Sequence, residues 1–434
     1  MNTRSTLALF LAGAACLLLA ACQADEEAIT ETTFRSLVKL VPSDPADADG
    51  FGMSMDVEAG CALVGSPGED ADGSNRGAAY LFLQNQGGLD GWGQVKKLVA
   101  SAPEDGQIFG VSVALSGNCA VVGAPGDDGT GTDQGAVYVF YKDQGGVDNW
   151  GQVTKIRAAD AADDDGFGYA VALEGDTLVV GSDGEDGSGT DRGAVYVFYR
   201  DRGGADNWGQ VAKLTAGDPQ DVDQFGFAVA LSGDVIVVGA PGDDGNGIAR
   251  GSAYVFSRDL GGADAWGQLK KIGASDAADD VWFGTSVALD GTVAVVGAAW
   301  DDANGTNRGA AYIFARGQGG ADNWGELKKL TASDGGNSDL FGYAVAVDGS
   351  FIVVGAAWND GGGSERGQAY VFFRDEGGTD NWGELQRLRA GDGANEDHFG
   401  FAVRVDGLTI LAGATGEDGE GVDRGAAYMF RKVD

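Results

Sequence analysis

The sequence predicts an all-β protein, a seven-bladed β-propeller of four-stranded antiparallel blades, on three observations. Phe-Gly pairs open a similar stretch at Phe51, Phe109, Phe167, Phe225, Phe283, Phe341 and Phe399, each 58 residues after the last, and a fixed period of this length marks a repeat architecture. Within each copy the apolar residues alternate with period two, as in Ala194-Val195-Tyr196-Val197-Phe198. No window carries a sustained helical period, so the unit is built from strands. The chain ends also complement one another: the last copy stops at Asp434, short of its fourth strand, while Phe34-Arg35-Ser36-Leu37-Val38-Lys39-Leu40 parallels Trp92-Gly93-Gln94-Val95-Lys96-Lys97-Leu98. An N-terminal strand that completes the last blade closes the ring and covers an otherwise open edge.

Residues 1–21 read as a secretory leader, with Arg4 before the uncharged run Leu7 to Ala21, too short to span a bilayer. Leu19-Ala20-Ala21-Cys22 resembles a bacterial lipobox. That resemblance implies cleavage before Cys22, lipid on its thiol and a lipid-anchored protein of the cell envelope. Gln23, rather than an Asp, follows the cysteine, which points to the outer membrane or cell surface. Ordinary secretion with Cys22 incidental is the alternative. Residues 22–32 form a short acidic tether, and 33–434 form the single folded domain, expected to be a monomer.

Within each copy, strand A follows Phe-Gly, and a tight turn such as Ser116-Gly117 or Asp406-Gly407 leads to strand B. Strand B ends at the Gly of Val-Val-Gly (Gly123, Gly181, Gly239, Gly297, Gly355). A loop rich in Asp and Gly precedes strand C, a hairpin such as Asp201 to Asn207 leads to strand D, and a second acidic loop returns to the next Phe-Gly. The 76 glycines recur at fixed places, which marks obligatory turns. Of four cysteines, Cys16 leaves with the leader and Cys22 is assigned to lipid. Cys61 and Cys119 share one register of adjacent repeats and read as small buried apolar residues, with a disulfide as the alternative.

Phe-Gly, Val-Val-Gly-Ala-Pro at 121–125 and 237–241, and Gly-Ala-Val-Tyr-Val-Phe at 135–140 resemble FG-GAP repeats. Such repeats build the seven-bladed head of integrin α chains and occur in bacterial surface proteins. The resemblance covers residues 33–434 and implies an adhesion or recognition module. In calcium-binding integrin repeats an Asp-rich loop joins strands A and B; here that connection is a tight turn, so those sites do not carry over.

A formal charge of −37 repels phosphate backbones and excludes nucleic acid as a partner, leaving cations, basic proteins and neutral sugars. In an up-and-down blade the B–C and D–A loops lie on one face, so both acidic loops share it. Every B–C loop has Asp in one register, Asp70, Asp128, Asp186, Asp244, Asp302, Asp360 and Asp418, preceded by an acid or Asn such as Asp127, Asp301 and Asn359. Asp133, Asp191 and Asp423 follow five residues later, each before an Arg or, once, Gln134. The D–A loops carry Asp44, Asp160, Asp218, Asp276, Asp334 and Asp392, with Ala102 the exception.

Carboxylates in flexible Gly-containing loops suit calcium, making Asp127, Asp128, Asp133, Asp186, Asp191, Asp244, Asp418 and Asp423 the candidate ligands. The alternative is that each Asp accepts from its own turn's N–H groups and pairs with the nearby Arg, for example Asp191 beside Arg192. Trp92, Trp150, Trp208, Trp266, Trp324 and Trp382 repeat at the start of strand D and read as framework. Trp282, Trp300 and Trp358 break the repeat on the acidic face of the fifth and sixth blades, where a particular ligand would be placed. With Asp301, Asp302 and Asp360 they are the candidate ligand-binding residues, the alternative being local packing. Catalytic machinery is not apparent: the single histidine, His398, reads as a solvated rim residue with no triad around it. A non-catalytic module binding a surface protein or glycan is therefore expected. The alternatives are a glycan-acting hydrolase with a carboxylate pair and a purely structural envelope component.

Overall fold

The structure, a computed structural model, describes residues 33–433 except 71, 72, 87, 89, 246, 303 and 304; Cys22, the leader and the tether lie outside the described residues. Twenty-eight strands form seven four-stranded antiparallel sheets, each ordered A-B-C-D from the central channel outward. The first blade is β2 (Met55–Glu58), β3 (Cys61–Ser66), β4 (Ala78–Gln84) and β5 (Trp92–Leu98), and five more follow in strict sequence. The seventh combines β26 (Phe399–Asp406), β27 (Thr409–Ala414) and β28 (Ala426–Val433) with β1 (Thr33–Leu40). β1 pairs with β28 from Thr33↔Val433 to Leu40↔Ala427, with a register shift between Ser36 and Val38. The expected closure is observed.

The repeat motif places its residues where blades meet. Strands B and C bury nearly every side chain because a blade packs on both faces. Each Phe-Gly phenylalanine is fully buried and meets two aromatic residues of its own strand C edge-on; Phe109 lies 5.3 Å from Tyr138 and 6.1 Å from Phe140. The following glycine has no room for a side chain: Gly110 has φ +99°, and a Cβ there would stand 2.3 Å from the Ala78 carbonyl oxygen of the preceding blade. Trp150, Trp208, Trp266, Trp324 and Trp382 are buried in the left-handed region just before strand D. Trp208 and Trp266 donate their indole N–H to Tyr141 and Tyr199 of the preceding blade. They are framework, as expected.

Cys61 and Cys119 are both free thiols, and burial pushes each up to about 12. At the seam, inner-strand positions that are Ala in the other five blades carry Asp56 and Arg404, 3.7 Å apart across the first and last blades.

Candidate functional site

The B–C and D–A loops form one face, and the structure gives the carboxylates there two occupations. In the B–C loops, the acid before the shared Asp is buried and turned into its blade. Asp243 accepts from Lys271 at 2.7 Å and from the Tyr254 hydroxyl at 2.7 Å, while Asp218 of the D–A loop holds the same lysine at 2.8 Å. Burial pushes the Asp218 carboxyl up, but hydrogen bonds from Lys271 and Tyr254 outweigh it and hold it below the usual range. The same clasp of one ammonium between two acids recurs at Lys39, Lys97, Lys213 and Lys329. In the second blade, where Ala102 replaces the D–A acid, Asp127 is fully buried and takes Lys155 at 2.5 Å together with Arg157, Gln107 and Tyr138. Asp301 is likewise buried and held by Lys329 and Tyr312.

The shared Asp of each B–C loop stands on the surface and caps its own turn. Asp128 accepts from the N–H of Asp133, Asp186 from Asp191, Asp244 from Ala249 and Asp418 from Asp423; Asp70, Asp302 and Asp360 do the same. Each carboxylate thus closes its own loop across five residues. The arginines do not pair within their loop as the adjacency of Asp191 and Arg192 suggests: they cross to the next blade. Arg192 meets Asp221, Arg76 meets Asp105, Arg250 meets Asp279 and Arg424 meets Asp47 across the seam. Among the described residues no three acidic, histidine or cysteine side chains converge closely enough to hold a metal ion.

The three repeat-breaking tryptophans converge at the mouth of the central channel on this face. Trp282 and Trp300 lie 5.0 Å apart, Trp300 reaches Tyr343 at 6.4 Å, and Tyr343 meets Trp358 at 4.9 Å and Phe401 at 5.0 Å. His398 packs on Trp358 at 5.6 Å and contacts Glu365 through Nε2. All six rings are half-buried, so the tryptophans pack on one another and still present surface, and His398 is part of an aromatic wall where a freely solvated residue was expected. Across the mouth stand Tyr169 and Phe227, 5.1 Å apart, and Asp183, which replaces the Pro of Val-Val-Gly-Ala-Pro and whose carboxyl burial pushes up to about 6.

Tyr169, Phe227, Tyr343 and Phe401 were not singled out by sequence, yet a signal for them exists. Each sits two residues after its Phe-Gly phenylalanine, a position that in every blade lines a cavity of about 220 Å³ at the channel mouth. Asp302 and Asp360 are exposed on the B–C loops of the tryptophan blades.

A closed ring of seven four-stranded blades, with the inter-blade Phe-Gly contact in each and the loops of one face gathered round a channel, defines a seven-bladed β-propeller. The FG-GAP repeat model matches seven times, at residues 34–82, 92–140, 150–198, 208–256, 266–314, 324–372 and 382–430, and the chain belongs to the FG-GAP repeat family. No curated protein matches the chain closely enough to count as a relative.

Proposed function

We propose that the protein is a non-catalytic recognition or adhesion module, anchored in the cell envelope through lipid on Cys22, that binds a surface protein or glycan at the channel mouth of its loop face. The observation that carries the reading is the convergence of Trp282, Trp300 and Trp358 into one aromatic wall with Tyr343. Five blades keep Gly at the start of the B–C loop; the fifth and sixth instead place Trp300 and Trp358 there, on either side of Tyr343. Half-buried indoles offer apolar area and a donor N–H, which suits sugar rings and apolar side chains. Asp302 and Asp360 flank them as acceptors for hydroxyls or basic groups.

Calcium is part of the same proposal, at the exposed carboxylates Asp128, Asp186, Asp244 and Asp418, each with one oxygen fixed by a main-chain N–H. Main-chain carbonyls of the Gly-containing loops would complete such a ligand set. A melting temperature that rises with millimolar calcium supports it, and an unchanged one refutes it.

The functional test is a glycan and protein binding screen run beside a hydrolase screen on the same preparation. Binding without turnover is the expected result. Glycan cleavage that survives purification would replace this reading by the carboxylate-pair hydrolase.

A further inference from the structure

The sixth blade departs from the others at the buried clasp. In the first to fifth and seventh blades a lysine of strand D is held by the B–C acid: Lys97 by Glu69, Lys155 by Asp127, Lys213 by Glu185, Lys271 by Asp243, Lys329 by Asp301 and Lys39 by Glu417. In the sixth blade the lysine becomes Arg387, which pairs with Asp334 of the D–A loop, and the acid becomes the neutral Asn359. Beside this altered pair lies an open cavity of about 450 Å³, lined by Asp334, Asp339, Asn359, Asp360, Gln368 and Arg389.

Gln368 is the second departure. Five blades have Ala at this position and one has Ser252. Gln368 is 1% exposed; its amide N–H donates to Asn359, and its carbonyl Oε1 is buried without a hydrogen-bond partner. An amide oxygen desolvated with nothing to accept from is costly unless something completes it. Arg389 lines the same cavity, with its guanidinium only loosely paired to Asp334 at 3.9 Å.

We infer that this cavity is a subsite for one or two units of a neutral sugar, an inference that rests on the proposed glycan reading of the loop face. The cavity alternates acceptors with a donor: the Gln368 carbonyl and the Asp339 and Asp360 carboxylates against the Arg389 fork. Vicinal hydroxyls, each able to donate and accept, match such an array. A bare cation would meet the Arg389 charge, and an anion would meet three carboxylates. The cavity volume falls in the range of small-ligand sites, roughly 300–1,000 Å³. Trp358 immediately precedes Asn359 and Asp360 on the same loop, so a glycan resting on the aromatic wall has a polar pocket on the adjoining loop.

The test measures binding of maltoheptaose, cellohexaose, laminarihexaose, mannohexaose and chitohexaose to the full chain by calorimetry. Gln368→Ala and Arg389→Thr restore residues that other blades carry and are expected to keep the wild-type melting temperature. Each should weaken the sugar that binds by about tenfold or more. If the Trp300→Gly, Trp358→Gly variant loses that sugar while Gln368→Ala and Arg389→Thr bind it within about twofold of wild type, the pocket is no subsite and the channel-mouth reading stands. Failure of the unsubstituted chain to bind any of the five at millimolar concentration overturns the inference, whatever protein the mouth is found to bind. A melting temperature raised by potassium or calcium chloride in wild type but not in Gln368→Ala would assign the pocket to a cation and overturn it equally.

Discussion

Asp165 and Asp223 show how burial within the repeat moves the titration of a single residue. Both are buried two residues before their Phe-Gly phenylalanine, and burial pushes each up to about 6, with the neighbouring Glu185 or Asp243 charge adding to it. Asp165 faces Glu185, Asp160 and Lys213; Asp223 faces Asp243, Asp218 and Lys271. A folded-state value raised above the ordinary carboxyl value of 3.8 means that the neutral form is favoured by folding. Their contribution is therefore fully present below about pH 4 and is lost as pH rises to about 6. The second blade has Gln107 in this register, donating to Asp127 at 2.5 Å, a permanently neutral version of the same contact. Asp165→Asn with Asp223→Asn should accordingly melt above wild type near neutral pH and match it near pH 4; equal melting at both would show that these acids are ionised at no cost. The register was visible in the sequence, but its burial was not: an Asp-rich loop reads as solvated until the ring places its end beneath the next blade.

At the scale of the element, the Phe-Gly turn and the first strand are the sharpest tests. Gly110→Ala places a Cβ 2.3 Å from the Ala78 carbonyl oxygen at positive φ, a clash with main chain that cannot yield. A loss of about 2 kcal/mol or more is expected in denaturant unfolding; a neutral substitution would mean that the blades can slide apart. Removing residues 33–41 takes β1 from the seventh blade and exposes the length of β28, so severe destabilisation or aggregation is expected, and unchanged cooperative melting would contradict closure. Strand order and closure were legible because each blade repeats the same four patterns and the ends match in register. The crossing of Arg192 to Asp221 was not, since adjacency along the chain favoured Asp191 and only the offset between blades sets the partner.

For the whole molecule, the ring itself makes the proposed site. Trp282, Trp300, Tyr343, Trp358 and Phe401 come from three blades and lie up to 119 residues apart, so no local motif announces them; they meet because every blade turns the same edge toward the channel. Sequence comparison between copies still found the three tryptophans, since a residue that breaks a strict repeat is conspicuous, whereas the residue two after each phenylalanine varies too freely to stand out. The measurement that tests the account most directly combines ligand binding with melting for Trp300→Gly, Trp358→Gly, which restores the small residue of other copies. Aromatic pairs contribute about 0.5–1.5 kcal/mol each, so a modest drop in melting temperature is expected, with binding of the screened ligand abolished. Retained affinity would contradict the account and place recognition elsewhere on the molecule; collapse of the melting transition would show that these indoles serve only to pack the channel mouth.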